Sequence, residues 1–367
     1  MIEPLKDIIK AHIKSQGPIS IAAYMDYCLL HPKYGYYTTQ ESIGAKGDFI
    51  TAPEISQCFG EMVGVWALDL INQILEHKDE PIQLVEIGPG RGVLMYDILS
   101  TVLRFVATSK IKVYLIEASP KLKQLQEKKL SAFDVDIHWL ENLDELPKQT
   151  TFFIANEFFD ALPIHQYFFD GEKWGERLIG LDEKNEFQFG MGPHMPVLDQ
   201  VIDLKRNKGE PLTKGTILED SPISARYMQH IASHVEACGG GALIIDYGYA
   251  TGESGDTFQA MANHGYVDPL QKPGKVDLTA HVNFGALVSQ IMGKDIALYP
   301  VMKQGEFLTA YGIYQRAEQL VAKNPKEEKN IKLAIERLCD NEQMGQLFKV
   351  LQITEKNICP QIFTSQE

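Results

Sequence analysis

Gln83-Leu84-Val85-Glu86-Ile87-Gly88-Pro89-Gly90-Arg91-Gly92 is the stretch that decides how this chain is read. Its first half is a short apolar run that ends in three glycines at alternate positions, and residues 93–105 behind them carry helical spacing. Glycine tolerates positive φ and lets a ligand come close to the backbone. A helix N-terminus just beyond it offers N–H groups without intrahelical partners. Strand, tight glycine turn and helix together read as the ligand loop of a Rossmann-like sheet.

Outward from this loop the pattern alternates. Residues 112–116 form a strand ending at Glu117, 120–130 a helix, 135–139 a weaker strand and 151–155 a strong one. Such alternation predicts a parallel sheet with helices on both faces. Upstream, residues 4–15 and a segment capped by Ser20 read as helices, 31–51 as a structured loop rich in Gly and Tyr, and 54–76 as one long helix. Downstream, Tyr167, Phe168, Phe169, Trp174 and Phe187 to Phe189 suggest strands joined by polar turns, and Ile217 to Glu219 a further strand in or beside them. A helix near 222–237, a strand over 242–246, a helix near 281–292 and a strand near 296–301 would complete the sheet. The expected fold is α/β: a class I Rossmann-like sheet in segments 81–164 and 217–315, an N-terminal helical extension (1–80), an inserted β-rich lobe (165–216) and a mostly helical, polar C-terminal segment (316–367).

The glycine spacing separates two cofactor classes. A dinucleotide loop reads GxGxxG and meets a pyrophosphate. Here Gly88, Gly90 and Gly92 give GxGxG, and the third dinucleotide glycine would fall on Val93. Glu117, at the end of the following strand, is placed to accept hydrogen bonds from both hydroxyls of a ribose. The combination favours S-adenosylmethionine (AdoMet) over NAD, with backbone groups of the loop meeting the carboxylate and ammonium of the cofactor's amino-acid end. The candidate cofactor residues are Gly88, Pro89, Gly90, Gly92, Glu117, Ala118, Asn156 and Thr51, with Asn142 or Asp144 toward the adenine amine.

The fourth strand runs into Asn156-Glu157-Phe158-Phe159-Asp160-Ala161-Leu162-Pro163. Ligands of open parallel sheets sit at the carboxyl ends of the strands, so these acids fall beside the methyl donor. They would equally suit a helix N-terminus, where the dipole favours negative charge. Methyl transfer asks the protein to position the nucleophile, strip water and balance charge. Where the nucleophile is a guanidinium nitrogen, carboxylates can hold its planar fork. Glu157 is the first catalytic candidate, and Asp160 and Asp48 follow; no His/Cys/Asp grouping has metal-ligand spacing.

A net charge of −14 argues against a nucleic-acid partner, which needs clustered Lys and Arg. The five cysteines include no CxxC, as expected of reduced thiols. No apolar run approaches the ~20 residues of a membrane span. The first twenty residues contain Glu3 and Asp7 and no Arg, unlike a transit peptide. A bacterial cytoplasmic protein, or a matured protein of the mitochondrial matrix, fits these features.

The chain resembles, almost end to end, the family of methyltransferases that contains the mitochondrial complex I assembly factor acting on arginine, together with its bacterial relatives. The resemblance rests on His31 to Tyr37, Gly47 to Glu54, Phe59-Gly60-Glu61, the glycine loop, Ile116 to Pro120 and Asn156 to Pro163. It continues through Asp246-Tyr247-Gly248, Gly255-Asp256-Thr257, Asp277 to Val282 and Gln304 to Leu308. It implies a class I AdoMet-dependent enzyme that methylates arginine on a protein, a subunit of respiratory complex I for the mitochondrial member. Phe258 and Asn283 stand where the family pattern has Leu and Asp. A small-molecule methyltransferase of the same fold and a non-catalytic AdoMet-binding assembly factor are the alternatives, and a homodimer is open.

Overall fold

A computed structural model describes residues 3–39, 51–207, 212–251, 255–262 and 265–364. Asp48 lies outside the described residues. The central sheet contains β1 (Ile82–Ile87), β2 (Ile111–Ile116), β3 (Asp136–Leu140), β4 (Thr151–Asn156), β5 (Gly240–Tyr249), β6 (Ala297–Leu298) and β7 (Phe348–Thr354). Their spatial order is β3-β2-β1-β4-β5-β7-β6. Strands β1 to β5 run parallel, and β7 lies antiparallel between β5 and β6. The order reverses between β1 and β4, which opens a crevice at their carboxyl ends.

All residues of β1, β4 and β5 are buried, as parallel strands covered on both faces require. Alternate side chains enter opposite cores. Leu84, Phe152 and Leu243 face the core built with α3 (Gln57–Leu75) and α4 (Val93–Val102), while Val85, Phe153 and Ala242 face the other. That second core also receives Met228 and Ile231 of a helix over Pro222–Cys238. A second, antiparallel sheet joins His165–Phe169, Trp174–Leu181, Phe187–His194 and Ile217–Asp220 to Ile19–Ser20. Against it pack α1 (Pro4–Gln16) and α2 (Ile21–Leu30), through Ile9, Ile21 and Ile179 among others. Ser20 caps α2 as expected, its Oγ accepting the Ala23 N–H at 3.1 Å.

The structure departs from the sequence reading on three points. The long helix expected over 54–76 is divided into Ala52–Ile55 and α3, because Ser56 is extended (φ −157°, ψ 135°) and its Oγ caps α3 at the Cys58 N–H. Helix α3 is also long and apolar enough to cross a membrane, yet it lies largely buried in the core. The third is β7, in a segment read as helical. It is a seven-residue run with the polar Gln352 and Thr354 fully buried. Short apolar runs interrupted by polar residues do not reveal their period, and only pairing with β5 and β6 makes this one a strand.

Candidate active site

The loop after β1 holds Gly88, Gly90 and Gly92 at φ of 68°, 52° and 75°. L-residues rarely adopt this region. At Gly88 a Cβ would also stand 2.8 Å from the Phe158 ring. Buried Pro89 closes the turn, its carbonyl accepting the Gly92 N–H at 2.8 Å, and Gly92 caps α4.

Glu117 follows β2, half-buried beside the exposed Ala118. Its Oε1 accepts the Ser119 N–H at 2.7 Å and its Oε2 accepts Gln126 Nε2 at 3.0 Å. Gln126 comes from α5 (Pro120–Leu130) and is fully buried. The same Nε2 reaches the Gly90 carbonyl at 2.7 Å, and Gln126 Oε1 accepts Trp139 Nε1–H at 2.8 Å. One amide thus ties the glycine loop to the acid, and no sequence pattern marks it within a polar helix. Burial raises the Glu117 carboxyl above the usual carboxylate range. Asn142 is exposed beyond β3 and turned toward its neighbour, with its N–H on Glu145 Oε1 at 3.1 Å.

The end of β4 carries the acids. Glu157 sits at φ 49°, a left-handed conformation that Asn185 alone shares among the described non-glycine residues. Such strain persists only where surrounding contacts enforce it. Here the Glu157 N–H is held by the Ile245 carbonyl at 2.9 Å, and its Oε1 accepts from Ala52 N and Asn156 Nδ2, both at 3.0 Å. Thr51, half-buried, caps the short helix whose first N–H reaches Glu157, but makes no side-chain cap bond. Burial pushes the Glu157 carboxyl up to about 7 and that of Asp160 up to about 6, against a hydrogen bond from Tyr247 in the second case.

Sequence reasoning missed the third member. Asp246, in β5, is fully buried; its Oδ2 accepts the N–H groups of Phe159 at 2.9 Å and Asp160 at 3.2 Å, and its Oδ1 that of Tyr247 at 2.9 Å. Burial, then the Asp160 and Glu157 carboxyls, push it upward. An acid ending an otherwise apolar strand was the available signal. Around this cluster, the Ala280 N–H donates to the Asp160 carbonyl at 2.9 Å and the His281 ring meets Tyr247 edge-on, centroids 5.3 Å apart. Tyr37 donates to Asp277 Oδ1 at 3.0 Å, while Tyr36 is buried in the core of the N-terminal helices and Tyr34 stacks on His31. Asn283 caps the helix Phe284–Ser289 through the Ala286 N–H at 2.9 Å. That capping is a local use for the residue standing in place of an Asp.

Three buried oxygens near the glycine loop and the end of β4 have no hydrogen-bond partner: Glu54 Oε1, Glu86 Oε2 and Asn156 Oδ1. Orphaned buried acceptors are uncommon in folded proteins. With the glycine cradle they fit a ligand that brings donors, as an α-ammonium does. Among the described residues no group of three His, Cys, Asp or Glu could hold a metal ion.

Known proteins resemble this chain in sequence and in fold. The family described as "Putative S-adenosyl-L-methionine-dependent methyltransferase" matches residues 62–298. The mitochondrial protein arginine methyltransferase NDUFAF7 homolog of Caenorhabditis elegans is 35% identical, over 96% of this chain and 87% of its own length. The human mitochondrial protein arginine methyltransferase NDUFAF7 is 32% identical, over 95% of this chain and 82% of its own. In fold, a COG1565 superfamily member from Burkholderia thailandensis bound to S-adenosyl-homocysteine superimposes with a TM-score of 0.86 at 23% identity, covering 99% of this chain and 95% of that one. A glycine cradle, an acid closing β2 and a carboxyl cluster at the switch point of a β3-β2-β1-β4-β5-β7-β6 sheet thus meet a family match over most of the length, and the chain belongs to the S-adenosyl-L-methionine-dependent methyltransferase family of the NDUFAF7 protein arginine methyltransferases.

Proposed function

We propose that this enzyme methylates a guanidinium nitrogen of arginine on a protein substrate, with Glu157, Asp160 and Asp246 forming the site that receives the guanidinium. The observation that carries the reading is three carboxyls packed together at the ends of β4 and β5, each with its proton affinity raised by burial. Buried like charges are costly unless they are neutralised or a cation arrives. Arginine is that cation: always charged, planar and able to take a carboxylate on two nitrogens at once.

Gly88, Pro89, Gly90 and Gly92 would cradle the cofactor, with Ala118, Asn156 and Thr51 along its walls and Glu117, steadied by Gln126, on its ribose. Asn142 would offer its side-chain oxygen to the adenine amine, its Nδ2 facing Glu145 Oε1 at 3.5 Å. When bound, AdoMet supplies an electrophilic methyl group on sulfonium. Glu157 orients the guanidinium, fixed itself by the Ala52 and Asn156 donors. Asp160 takes the proton that the nitrogen releases, a task suited to a carboxyl raised to about 6.

The net charge of −14 supports a basic protein partner over nucleic acid. A respiratory complex I subunit is the substrate that the family resemblance suggests for the mitochondrial setting. We further propose a cytoplasmic site of action in a bacterium, or the matrix after removal of a leader, without membrane insertion. The test is incubation with methyl-labelled AdoMet and a protein fraction, followed by acid hydrolysis. Labelled methylarginine that disappears with Glu157→Gln is expected. Label confined to small molecules would overturn the protein-arginine assignment.

A further inference from the structure

Arg91 and Glu54 face one another across the mouth of the glycine loop, and the function proposed above gives the pair no task. Arg91 Nη1 stands 3.5 Å from Glu54 Oε1, with side chains 45% and 14% exposed. The two are within Coulomb range but make no hydrogen bond, and Glu54 Oε1 is one of the buried oxygens without a partner. Glu54 belongs to the short helix Ala52–Ile55, whose first N–H is bonded to Glu157 at the end of β4. The pair therefore spans the crevice from the β4 side to the glycine loop. Asn156 Oδ1, 9% exposed as a residue, is a second acceptor there without a donor.

The loop backbone is less free than its glycines suggest. The Gly88 N–H is committed to the Ile116 carbonyl at 3.2 Å and the Gly92 N–H to the Pro89 carbonyl at 2.8 Å. A side-chain donor would add charge to the remaining backbone N–H groups at an anionic end, and Arg91 is a five-donor fork in the loop itself. A cationic group needs acceptors, and Glu54 Oε1 and Asn156 Oδ1 are unoccupied acceptors.

We infer that the Glu54–Arg91 pair recognises the zwitterionic α-amino-acid end of the cofactor, Glu54 with Asn156 taking the ammonium and Arg91 the carboxylate. The assignment rests on the AdoMet reading and adds side chains to it. Zwitterion and ion pair are complementary in sign and order. The loose 3.5 Å contact lets each partner turn to the ligand without breaking a hydrogen bond.

Calorimetric titration with two ligands tests it: S-adenosylhomocysteine, which carries the amino-acid end, and 5′-methylthioadenosine, which lacks it. Glu54→Gln and Arg91→Met should each weaken the first by about tenfold or more, the cost of one charge-assisted contact, and leave the second within about twofold. Retained methylthioadenosine binding also shows that each variant keeps a folded site. A wild type that binds both ligands, with variants that alter both equally or neither, overturns this assignment alone. A wild type that binds neither ligand overturns the AdoMet reading as well.

Discussion

Removing the carboxyl of Glu117 should weaken cofactor binding by an amount that the local hydrogen bonds set. A carboxylate offers about four acceptor sites. Ser119 N–H takes one on Oε1 and Gln126 Nε2 takes one on Oε2. One site per oxygen is left, the number that two ribose hydroxyls require. Two charge-assisted bonds would be worth about 3–6 kcal/mol at about 1.5–3 each. Glu117 is only half-buried, so water replaces part of what the variant loses, and about 1.5–3 kcal/mol is expected, or about a 10- to 150-fold rise in Kd. Glu117→Ala also frees the Gln126 amide, but the Gly90 and Trp139 bonds of Gln126 remain. The site therefore stays folded. Trp139 gives the assay, because Trp66 and Trp174 are fully buried elsewhere while Trp139 is partly open and bonded to Gln126. Titration of its fluorescence with S-adenosylhomocysteine should show the shift. A Kd unchanged within about twofold would refute the ribose role of Glu117.

The pH profile should report Glu157. Its carboxyl is raised to about 7 by burial, so it is neutral below that pH and cannot hold a guanidinium charge. The kcat/KM for a protein substrate should fall about tenfold per unit as pH drops below 7; a limb near the ordinary 4.5 would contradict the assignment. Stability should run the opposite way with pH. Glu86 is raised to about 8 and Glu157 and Asp97 to about 7, so the folded chain binds more protons than the unfolded one from the ordinary carboxylate range up to these values. Stability should then decrease as pH rises through that window, and urea midpoints should decline less steeply for Glu86→Gln. Gly88→Ala should cost about 1–2 kcal/mol for its left-handed φ and, by driving a Cβ into Phe158, abolish S-adenosylhomocysteine binding. Arg316 holds the buried Glu61 through Nε at 2.6 Å and Nη2 at 2.7 Å. Arg316→Met should therefore destabilise the chain by about 3–5 kcal/mol in denaturant titration, by leaving a buried charge unpaired; a loss under about 1 kcal/mol would class the pair with surface bridges.

The legible part of this protein is the part written in consecutive residues. Positive φ at Gly88, Gly90 and Gly92, a strand before them and a helix after them are local demands, and the sequence states each of them in place. The acid closing β2 and the acids after β4 were readable for the same reason, since strand ends mark the ligand edge of a parallel sheet. Other features depend on partners far along the chain. Gln126 joins Gly90 to Glu117 only because α5 folds back beneath the loop. Asp246 enters the acid cluster only because β5 pairs with β4, bringing it to the N–H groups of Phe159 and Asp160. Residues 348–354 become a strand only by filling the slot between β5 and β6. Glu54 meets Arg91 only because Ser56 breaks the helix before α3. By itself the sequence determined the local backbone, the fold class and the end of the sheet where chemistry occurs. The tertiary structure decided which charges share one low-dielectric space, because burial and neighbouring charge act through distance in space, which spacing along a chain does not encode.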